Sequence, residues 1–233
     1  GVKNIGLCST DMVYFASGSW DLPAVMFTAS HNPASYNGLK FSRARAQGIS
    51  MDTGLSSIRD RAAKFLEGTA PYGDGVGEVE SLSVLADYAA HLTSLVPLKG
   101  ERPLRIVVDA ANGMAGLTVP AVFAKARGIE IIPMYFELDG SFPNHEANPL
   151  EPANLVDLQA AVLSTGADLG LAFDGDADRC FVIDELGQPV TPSAVAAMVA
   201  KREIVRVRNS GETGPIPVLH NLLCSRTVAE IIA

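Results

Sequence analysis

The sequence has little of what marks several large classes of protein. Only 3 of its 233 residues are cysteines, without a close pair, so we expect neither a disulfide framework nor a structural zinc site. Positive charge is also scarce, because 18 Lys and Arg face 26 Asp and Glu for a net charge of −8. This balance disfavours nonspecific nucleic-acid or anionic-membrane binding. No apolar run reaches the ~18 residues of a membrane span, and no secretory signal opens the chain. We therefore predict a cytoplasmic protein with no nucleic-acid or membrane partner; the sequence does not indicate its oligomeric state.

Hydrophobic residues make up 48% of the chain, enough for one large or two medium domains with sizeable cores. From residue 102 onward the pattern alternates between predicted strands and predicted helices. The strands fall at 104–108, 129–134 and 168–173, and the helices at 116–127 and 153–164. This rhythm predicts an α/β fold with parallel strands covered by helices on both faces. Such sheets bind ligands in the loops beyond the carboxyl ends of their strands.

In the rest of the chain we also predict strands and helices, together with one linker. Gly and Pro are dense at residues 68–77, which we interpret as a linker. Further strands are predicted at residues 5–7, 22–27, 39–42, 180–184 and 218–223, and further helices at 11–17, 50–68, 80–96, 193–202 and 227–233.

A polar loop follows the predicted buried strand at residues 22–27. It reads TASHNP at 28–33 and continues to NGLK at 37–40, so two turn signals place Ser30 on a loop. The charged residues between positions 28 and 45 are all cations, at positions 40, 43 and 45. A hydroxyl beside His31 and these cations can bind a phosphate group or act as the nucleophile that carries one. From the residues alone, an ordinary polar surface turn also stays open.

A second polar loop, DGDADR at 174–179, follows another predicted strand. Its carboxylates, Asp174, Asp176 and Asp178, alternate with small residues, and three carboxylates so close together cannot all stay ionised without a cation. All-oxygen ligands favour magnesium or calcium. The spacing also fits an EF-hand loop, but Arg179 stands where that loop needs glycine, and strands rather than helices are predicted on both sides. A solvated acidic turn is the remaining alternative.

Together the two loops resemble the phosphoserine loop and the metal loop of the α-D-phosphohexomutases, the phosphomannomutase and phosphoglucomutase family. The resemblance implies a phosphorylated Ser30 and a Mg²⁺ ion bound by the Ser30 phosphoryl group with Asp174, Asp176 and Asp178. Because a phosphoserine carries ~1.5 to 2 negative charges, it needs an intervening cation before it can approach three aspartates. This requirement explains why the two loops occur together.

The same resemblance implies an activity and a set of roles. The family interconverts hexose 1-phosphates and hexose 6-phosphates through a hexose 1,6-bisphosphate, which is intermediate and activator. We therefore expect a phosphosugar substrate, with mannose preferred and glucose next. Lys40 and His31 are the candidates for moving the hydroxyl proton, with Lys40 favoured as general acid/base and His31 as support for the loop. Arg179 is expected to contact the transferring phosphoryl group, an ion pair with Asp178 or Asp184 being the structural alternative.

The resemblance also implies a domain organisation. We expect two α/β domains with mainly parallel sheets flanked by helices, plus the start of a third similar domain. Residues 1–75 would form the phosphoserine-loop domain, 76–188 the metal-loop domain, and 189–233 the beginning of the sugar-recognition domain. The first predicted strand follows the N-terminus at once and the last predicted helix has no stop signal, so we expect the chain to be part of a longer, four-domain protein.

Two alternative functions stay open from the sequence, a phosphoglucosamine mutase and a noncatalytic fragment that binds metal or phosphosugar. Two further segments carry weaker signals. NGMAG at 112–116 lies between a predicted strand and a predicted helix, but it lacks the spacing of a dinucleotide loop. FPNH at 142–145 also resembles a family segment, and we interpret His145 as structural.

Overall fold

Helices and short sheets alternate along the computed structural model, which describes residues 1–71, 73, 75–96 and 99–232. The strands are β1 (Val2–Asn4), β2 (Ala24–Phe27), β3 (Leu39–Arg43), β4 (Gln47–Gly48), β5 (Val79–Ser81), β6 (Lys99–Asp109), β7 (Arg127–Met134), β8 (Leu169–Phe173), β9 (Cys180–Ile183) and β10 (Pro189–Val190). The helices are α1 (Thr10–Trp20), α2 (Ser56–Leu66), α3 (Leu85–Leu95), α4 (Ala115–Phe123), α5 (Val156–Thr165), α6 (Pro192–Asn209) and α7 (Arg226–Ile232).

The largest sheet has five strands in the order β10-β9-β8-β6-β7. Strand β6 pairs in parallel with β7 on one side and with β8 on the other, while β9 and β10 are antiparallel additions. The predicted rhythm of strands and crossover helices is thus confirmed for β6, β7 and β8. Their carboxyl ends face one edge of the sheet, so the loops after β6, β7 and β8 lie together.

Strand β6 supplies residues to two cores, one on each face of this sheet. Because side chains alternate along a strand, Val107 points to the α5 side and packs with Leu158 and Val162. Its neighbours Ile106 and Val108 point to the other side and join a cluster with α4. Both faces of the strand are therefore covered, which explains the unbroken apolar run in its sequence.

The first part of the chain forms smaller sheets around α1. Strands β1 and β5 pair in parallel, whereas β2, β3 and β4 form an antiparallel sheet, so the α/β class is confirmed with mixed sheets. Helix α1 begins where Ser9 Oγ accepts a hydrogen bond from the Met12 backbone N–H at 3.2 Å, the usual N-cap arrangement. Met12 then packs against Val84 and Tyr88 at α3.

Several predicted elements are wrong or displaced. Strand β1 lies at Val2–Asn4 instead of 5–7, because Gly6 adopts a positive φ of 68° that ends the extended chain. No strand forms at 218–223 in the part of the chain that the structure describes, since the Asn221 side chain accepts two backbone N–H bonds and closes a turn. The strand before Ser30 exists, but of β2 only Met26 is buried, and Phe27 is 77% exposed.

The predicted helices also differ at their ends. The helix predicted at 50–68 is split into an irregular turn and α2, which buries none of its residues. The helix predicted at 80–96 begins only at Leu85, because Val79–Ser81 pairs with β1 instead. In the predicted linker, positions 72 and 74 lie outside the described residues.

The predicted division into domains stays a prediction. Strand β10 falls just after the predicted boundary at residue 188 and pairs with β9 of the five-stranded sheet. None of the helices in the described ranges combines the length and apolarity that crossing a bilayer requires.

Replacing leucine by alanine should have unequal effects on stability at a buried and an exposed position of α5. Leu158→Ala should lower the free energy of unfolding by about 2–5 kcal/mol, because Leu158 is fully buried against β6. Leu163→Ala is the control, since Leu163 lies on the same helix with 58% of its surface exposed. Urea unfolding followed by circular dichroism measures both. Equal losses would contradict the assignment of Leu158 to the core.

Candidate active site

The two polar loops predicted from the sequence meet in the structure. Ser30 lies after β2, and its hydroxyl donates a hydrogen bond of 2.9 Å to Asp174 Oδ2 in the loop after β8. Ser30 has a φ of +56°, a left-handed conformation that costs about 1–3 kcal/mol in a residue with a side chain. Its backbone N–H donates to Thr28 Oγ1 at 2.8 Å, which helps to hold this strained turn.

The close approach of the loops depends on Gly175. A Cβ atom at this position would lie 2.7 Å from the backbone oxygen of Ser30, well inside van der Waals contact. Any side chain here would therefore push the Ser30 loop away from the aspartates. This explains why the spacer between Asp174 and Asp176 is a glycine.

Asp174 is fully buried, and its carboxylate accepts hydrogen bonds from three donors among the described residues. Its Oδ1 accepts the backbone N–H groups of Asp178 and Arg179, both at 3.1 Å, and its Oδ2 accepts the Ser30 hydroxyl. Burial, with the neighbouring carboxylate of Asp176, raises the pKa of Asp174 to about 6. The site thus concentrates more negative charge than the surrounding protein neutralises.

Asp176 is also buried, but its two oxygens have unequal surroundings. Oδ2 accepts hydrogen bonds from Thr10 Oγ1 at 2.7 Å, Thr28 Oγ1 at 3.0 Å and Lys40 Nζ at 2.6 Å. Burial raises the pKa of Asp176, but hydrogen bonds from Lys40 and Thr10 outweigh it and leave that pKa lowered. Among the described residues, no donor reaches the buried Oδ1.

Lys40 lies between two of the carboxylates. Its ammonium group is 2.6 Å from Asp176 Oδ2 and 2.7 Å from Asp178 Oδ2. Burial lowers the pKa of Lys40, but both carboxylates outweigh this effect, so the pKa is raised. In this arrangement Lys40 is therefore an ammonium ion.

Arg179 and His31 form the other side of the site. Arg179 Nη1 lies 2.8 Å from His31 Nδ1, and because a guanidinium can only donate, Nδ1 must accept. His31 therefore carries its proton on Nε2. Arg179 Nε also lies 3.9 Å from Asp174 and 3.8 Å from Asp178. Of the two aspartates expected as alternative partners, Asp178 is thus within ion-pair distance, while contact with a phosphoryl group stays a prediction.

The aspartates fit a divalent cation. One oxygen from each of Asp174, Asp176 and Asp178 lies within 4.8 Å of the others, and these are hard ligands of the kind that Mg²⁺ prefers. The buried and unpartnered Oδ1 of Asp176 would gain a partner from such an ion. The set can therefore hold a metal, with Ser30 Oγ adjacent to it.

Sequence reasoning missed Thr10 in this site. Thr10 immediately precedes the helix predicted at 11–17, a position typical of a helix cap. In the structure Thr10 is buried, donates to Asp176 and accepts from Lys40 Nζ at 3.2 Å. Its backbone N–H also donates to the Asp176 carbonyl at 3.0 Å. The N-terminus of α1 thus brings its positive dipole end to the aspartate loop. No local signal indicates this contact, which spans 166 positions.

Comparison with known proteins agrees with this geometry. A family model described as phosphoglucomutase/phosphomannomutase, alpha/beta/alpha domain I, matches residues 1–67, and the corresponding model for domain II matches residues 86–187. Together the two matches contain the Ser30 loop and the aspartate loop.

Individual relatives extend this similarity. A protein of Xanthomonas campestris named "Phosphohexose mutases" is 41% identical over 86% of this chain, and "Phosphomannomutase/phosphoglucomutase" of Pseudomonas aeruginosa is 34% identical over 100% of it. The chain spans 44% and 47% of their lengths. The crystal structure of a phosphoglucomutase/phosphomannomutase family protein from Burkholderia thailandensis matches 88% of this chain with a TM-score of 0.76 and 32% identity, over 45% of its own length. The chain therefore belongs to the phosphoglucomutase/phosphomannomutase family, the α-D-phosphohexomutases.

Proposed function

We propose that this chain carries the phosphoserine and the metal site of a phosphohexomutase, which interconverts hexose 1-phosphate and hexose 6-phosphate. The observation that carries the proposal is the 2.9 Å hydrogen bond from Ser30 Oγ to Asp174 Oδ2. It unites a potential phosphate carrier with a potential metal ligand, 144 positions apart in the chain. The names of relatives, phosphohexose mutases and phosphomannomutase/phosphoglucomutase, support the same activity.

The proposed reaction is two phosphoryl transfers through Ser30. Phosphorylated Ser30 gives its phosphoryl group to the free 6-hydroxyl of hexose 1-phosphate; the P–O bond to serine breaks, the bond to O6 forms, and the 6-hydroxyl loses its proton. The hexose 1,6-bisphosphate then turns over in the site. Its 1-phosphate returns to Ser30 and leaves hexose 6-phosphate. The same bisphosphate would load an unphosphorylated enzyme.

The residues around Ser30 divide the tasks of this transfer. Asp174, Asp176 and Asp178 would hold Mg²⁺, which when bound supplies positive charge to a transition state that depends on electrostatic stabilisation. Arg179 would bind the phosphoryl oxygens with its planar guanidinium. His31, whose Nδ1 accepts from Arg179, orients that guanidinium and supports the Ser30 loop.

Lys40 is the proposed general acid/base. In the structure it is an ammonium ion bound to two carboxylates, which suits donation of a proton to the departing oxygen. To accept a proton, Lys40 must first be a neutral amine. A cation that binds the carboxylates in place of Lys40 would remove the interactions that now raise its pKa. Metal binding and the basicity of Lys40 are therefore coupled in this proposal.

The proposed substrate is a phosphorylated hexose, with mannose preferred and glucose next. The relative in Escherichia coli named phosphomannomutase, 38% identical over 86% of the chain, supports the mannose assignment. A phosphoglucosamine mutase is the alternative outcome of a substrate comparison.

Ser30→Ala should abolish both phosphorylation and turnover, because the hydroxyl that carries the phosphoryl group is removed. Intact mass spectrometry after incubation with glucose 1,6-bisphosphate should find one phosphate adduct on the unmodified chain and none on the variant. Coupled assays of the full-length enzyme with mannose 1-phosphate and glucose 1-phosphate should show a loss of at least about 10³-fold. Ser35→Ala, at an exposed position of the same loop, is the control and should keep both properties. Normal turnover in Ser30→Ala would refute the proposed mechanism.

Asp176→Asn should weaken Mg²⁺ binding by about 10-fold or more, because a neutral amide replaces a buried charged ligand. Titration calorimetry with Mg²⁺ at neutral pH measures the dissociation constant directly. Asp60→Asn removes an equal charge from an exposed aspartate on α2 that pairs with Arg59, and should leave the constant unchanged. If both variants bind Mg²⁺ like the unmodified chain, the aspartate loop is not the metal site.

A further inference from the structure

Outside the site described above, the structure contains an ion pair between the buried Asp109 and the half-buried His145. Asp109 is the last residue of β6 and is 1% exposed. Its Oδ1 accepts the backbone N–H of Ala111 at 2.8 Å, and its Oδ2 lies 2.9 Å from His145 Nε2. Neither residue has a part in the proposed phosphoryl transfer. Burying a carboxylate such as that of Asp109 is costly unless it is paired and hydrogen-bonded, which is the role that His145 and the Ala111 N–H fill here.

The hydrogen bonds of His145 define its protonation state. Its other ring nitrogen, Nδ1, lies 2.9 Å from the Glu146 carbonyl oxygen, which can only accept. Nε2 faces the Asp109 carboxylate, so both nitrogens must donate when that carboxylate is ionised. A neutral imidazole has one N–H and can make only one of these bonds. The full set of contacts therefore requires an imidazolium ion.

His145 lies in a loop that packs against the aspartate loop. The segment from residue 137 to residue 148, here the histidine loop, places the Phe142 ring and the Ala147 methyl 3.5 Å from the position of a Cβ on Gly175. The Ser30 backbone oxygen lies 2.7 Å from the same Cβ position. The backbone of Gly175 is thus enclosed between the histidine loop and the phosphoserine loop.

The turn after β6 completes this enclosure. The backbone N–H of Met114 donates to the Gly175 carbonyl at 2.9 Å, and a Cβ on Gly113 would lie 2.6 Å from that same oxygen. The turn is tied to the histidine loop through Asn112, whose Oδ1 accepts from Asn144 Nδ2 at 2.8 Å. Asp109 and His145 add a charged bond to this connection, at the end of β6.

The backbone around the pair is strained. Ala111, Tyr135 and Phe142 have φ angles of 45°, 55° and 52°, values that residues with these side chains rarely adopt. Such conformations persist only where surrounding interactions hold them. The Asp109–His145 bond is a charged interaction that joins the turn containing Ala111 to the loop containing Phe142.

We propose that Asp109 and His145 are positioning residues for the metal site. The protonated imidazole ties the histidine loop to the end of β6, and this fixes the backbone of Gly175 between Asp174 and Asp176. The two carboxylates then converge on a cation without having to reorganise. The inference rests on the proposed function in one respect only, that the aspartates bind a divalent metal.

The charged groups around His145 change its pKa, and from this change we predict how metal binding depends on pH. Asp109 bonds to it directly and raises the pKa of His145, which burial alone would lower. Asp157 also favours the charged ring; it accepts from Tyr135 Oη at 2.9 Å, and the Tyr135 ring packs edge-on against His145 at 5.4 Å. Because the folded pKa exceeds the unfolded value of about 6.5, the stabilisation is complete below pH 6.5 and is lost as the pH rises through the folded pKa.

The test is the Mg²⁺ affinity of the whole chain between pH 6 and pH 9.5, measured by titration calorimetry with Mg²⁺ alone. The unmodified chain should bind Mg²⁺ less tightly above the pKa of His145. His145→Gln and Asp109→Asn should bind it about tenfold more weakly at pH 6.5, the low end of the effect of groups that support metal ligands, and should lack the decline at alkaline pH. His220→Gln is the control, since His220 is exposed and its Nδ1 lies 2.9 Å from the neighbouring Asn221 carbonyl oxygen.

A spectroscopic measurement keeps the inference testable if a variant does not fold. In the unmodified chain, the ¹⁵N resonances of both His145 ring nitrogens should be those of an imidazolium at neutral pH. A neutral imidazole would overturn the inference, as would variants that bind Mg²⁺ with the affinity and pH profile of the unmodified chain. Absence of Mg²⁺ binding in the unmodified chain would instead contradict the metal site of the proposed function, and this inference with it.

Discussion

The site depends on one electrostatic constraint, the concentration of three carboxylates at one edge of a sheet. Asp174 and Asp176 are buried, and burial together with the neighbouring carboxylate raises the pKa of Asp174. The cations at the cluster are the Lys40 ammonium and the Arg179 guanidinium, and among the described residues one buried carboxylate oxygen has no donor. In the proposed function a divalent cation offsets the charge of the carboxylates, and only then can a phosphoryl group on Ser30 approach them.

The carboxylate cluster is surrounded by segments that are far apart in the sequence. The N-terminus of α1, the loop after β2 and the loop after β8 all contact the Asp176 carboxylate or its neighbours. Gly175 lies at the centre of these contacts, with the Ser30 loop on one side and the histidine loop on the other. Each loop is fixed by others, so the position of the serine hydroxyl is a property of the whole fold.

The sequence predicts the parts of this arrangement that are local. The strand before each loop, the turn residues around Ser30 and the alternation of aspartate with small residues are all visible in short segments, and the structure brings the two loops together. Tertiary contacts are not visible in the same way. Thr10 has the sequence of a helix cap, and it donates to Asp176 only because the N-terminus of α1 meets the aspartate loop. His145 has the sequence of a turn residue, and its bond to Asp109 joins positions 36 apart.

One error in the predicted elements has a local origin instead. Residues 218–223 include four Val and Leu residues that suggest a strand, but the Asn221 side chain accepts two backbone N–H bonds and closes a turn. The most direct test of the central claim is the ³¹P resonance of the chain phosphorylated at Ser30, recorded as Mn²⁺ is added in substoichiometric amounts. If the phosphoserine adjoins the metal site, the line should show strong paramagnetic broadening that Asp176→Asn reduces. A ³¹P line that stays sharp while Mn²⁺ binds would show that the phosphoserine and the metal site are apart, and would contradict this claim.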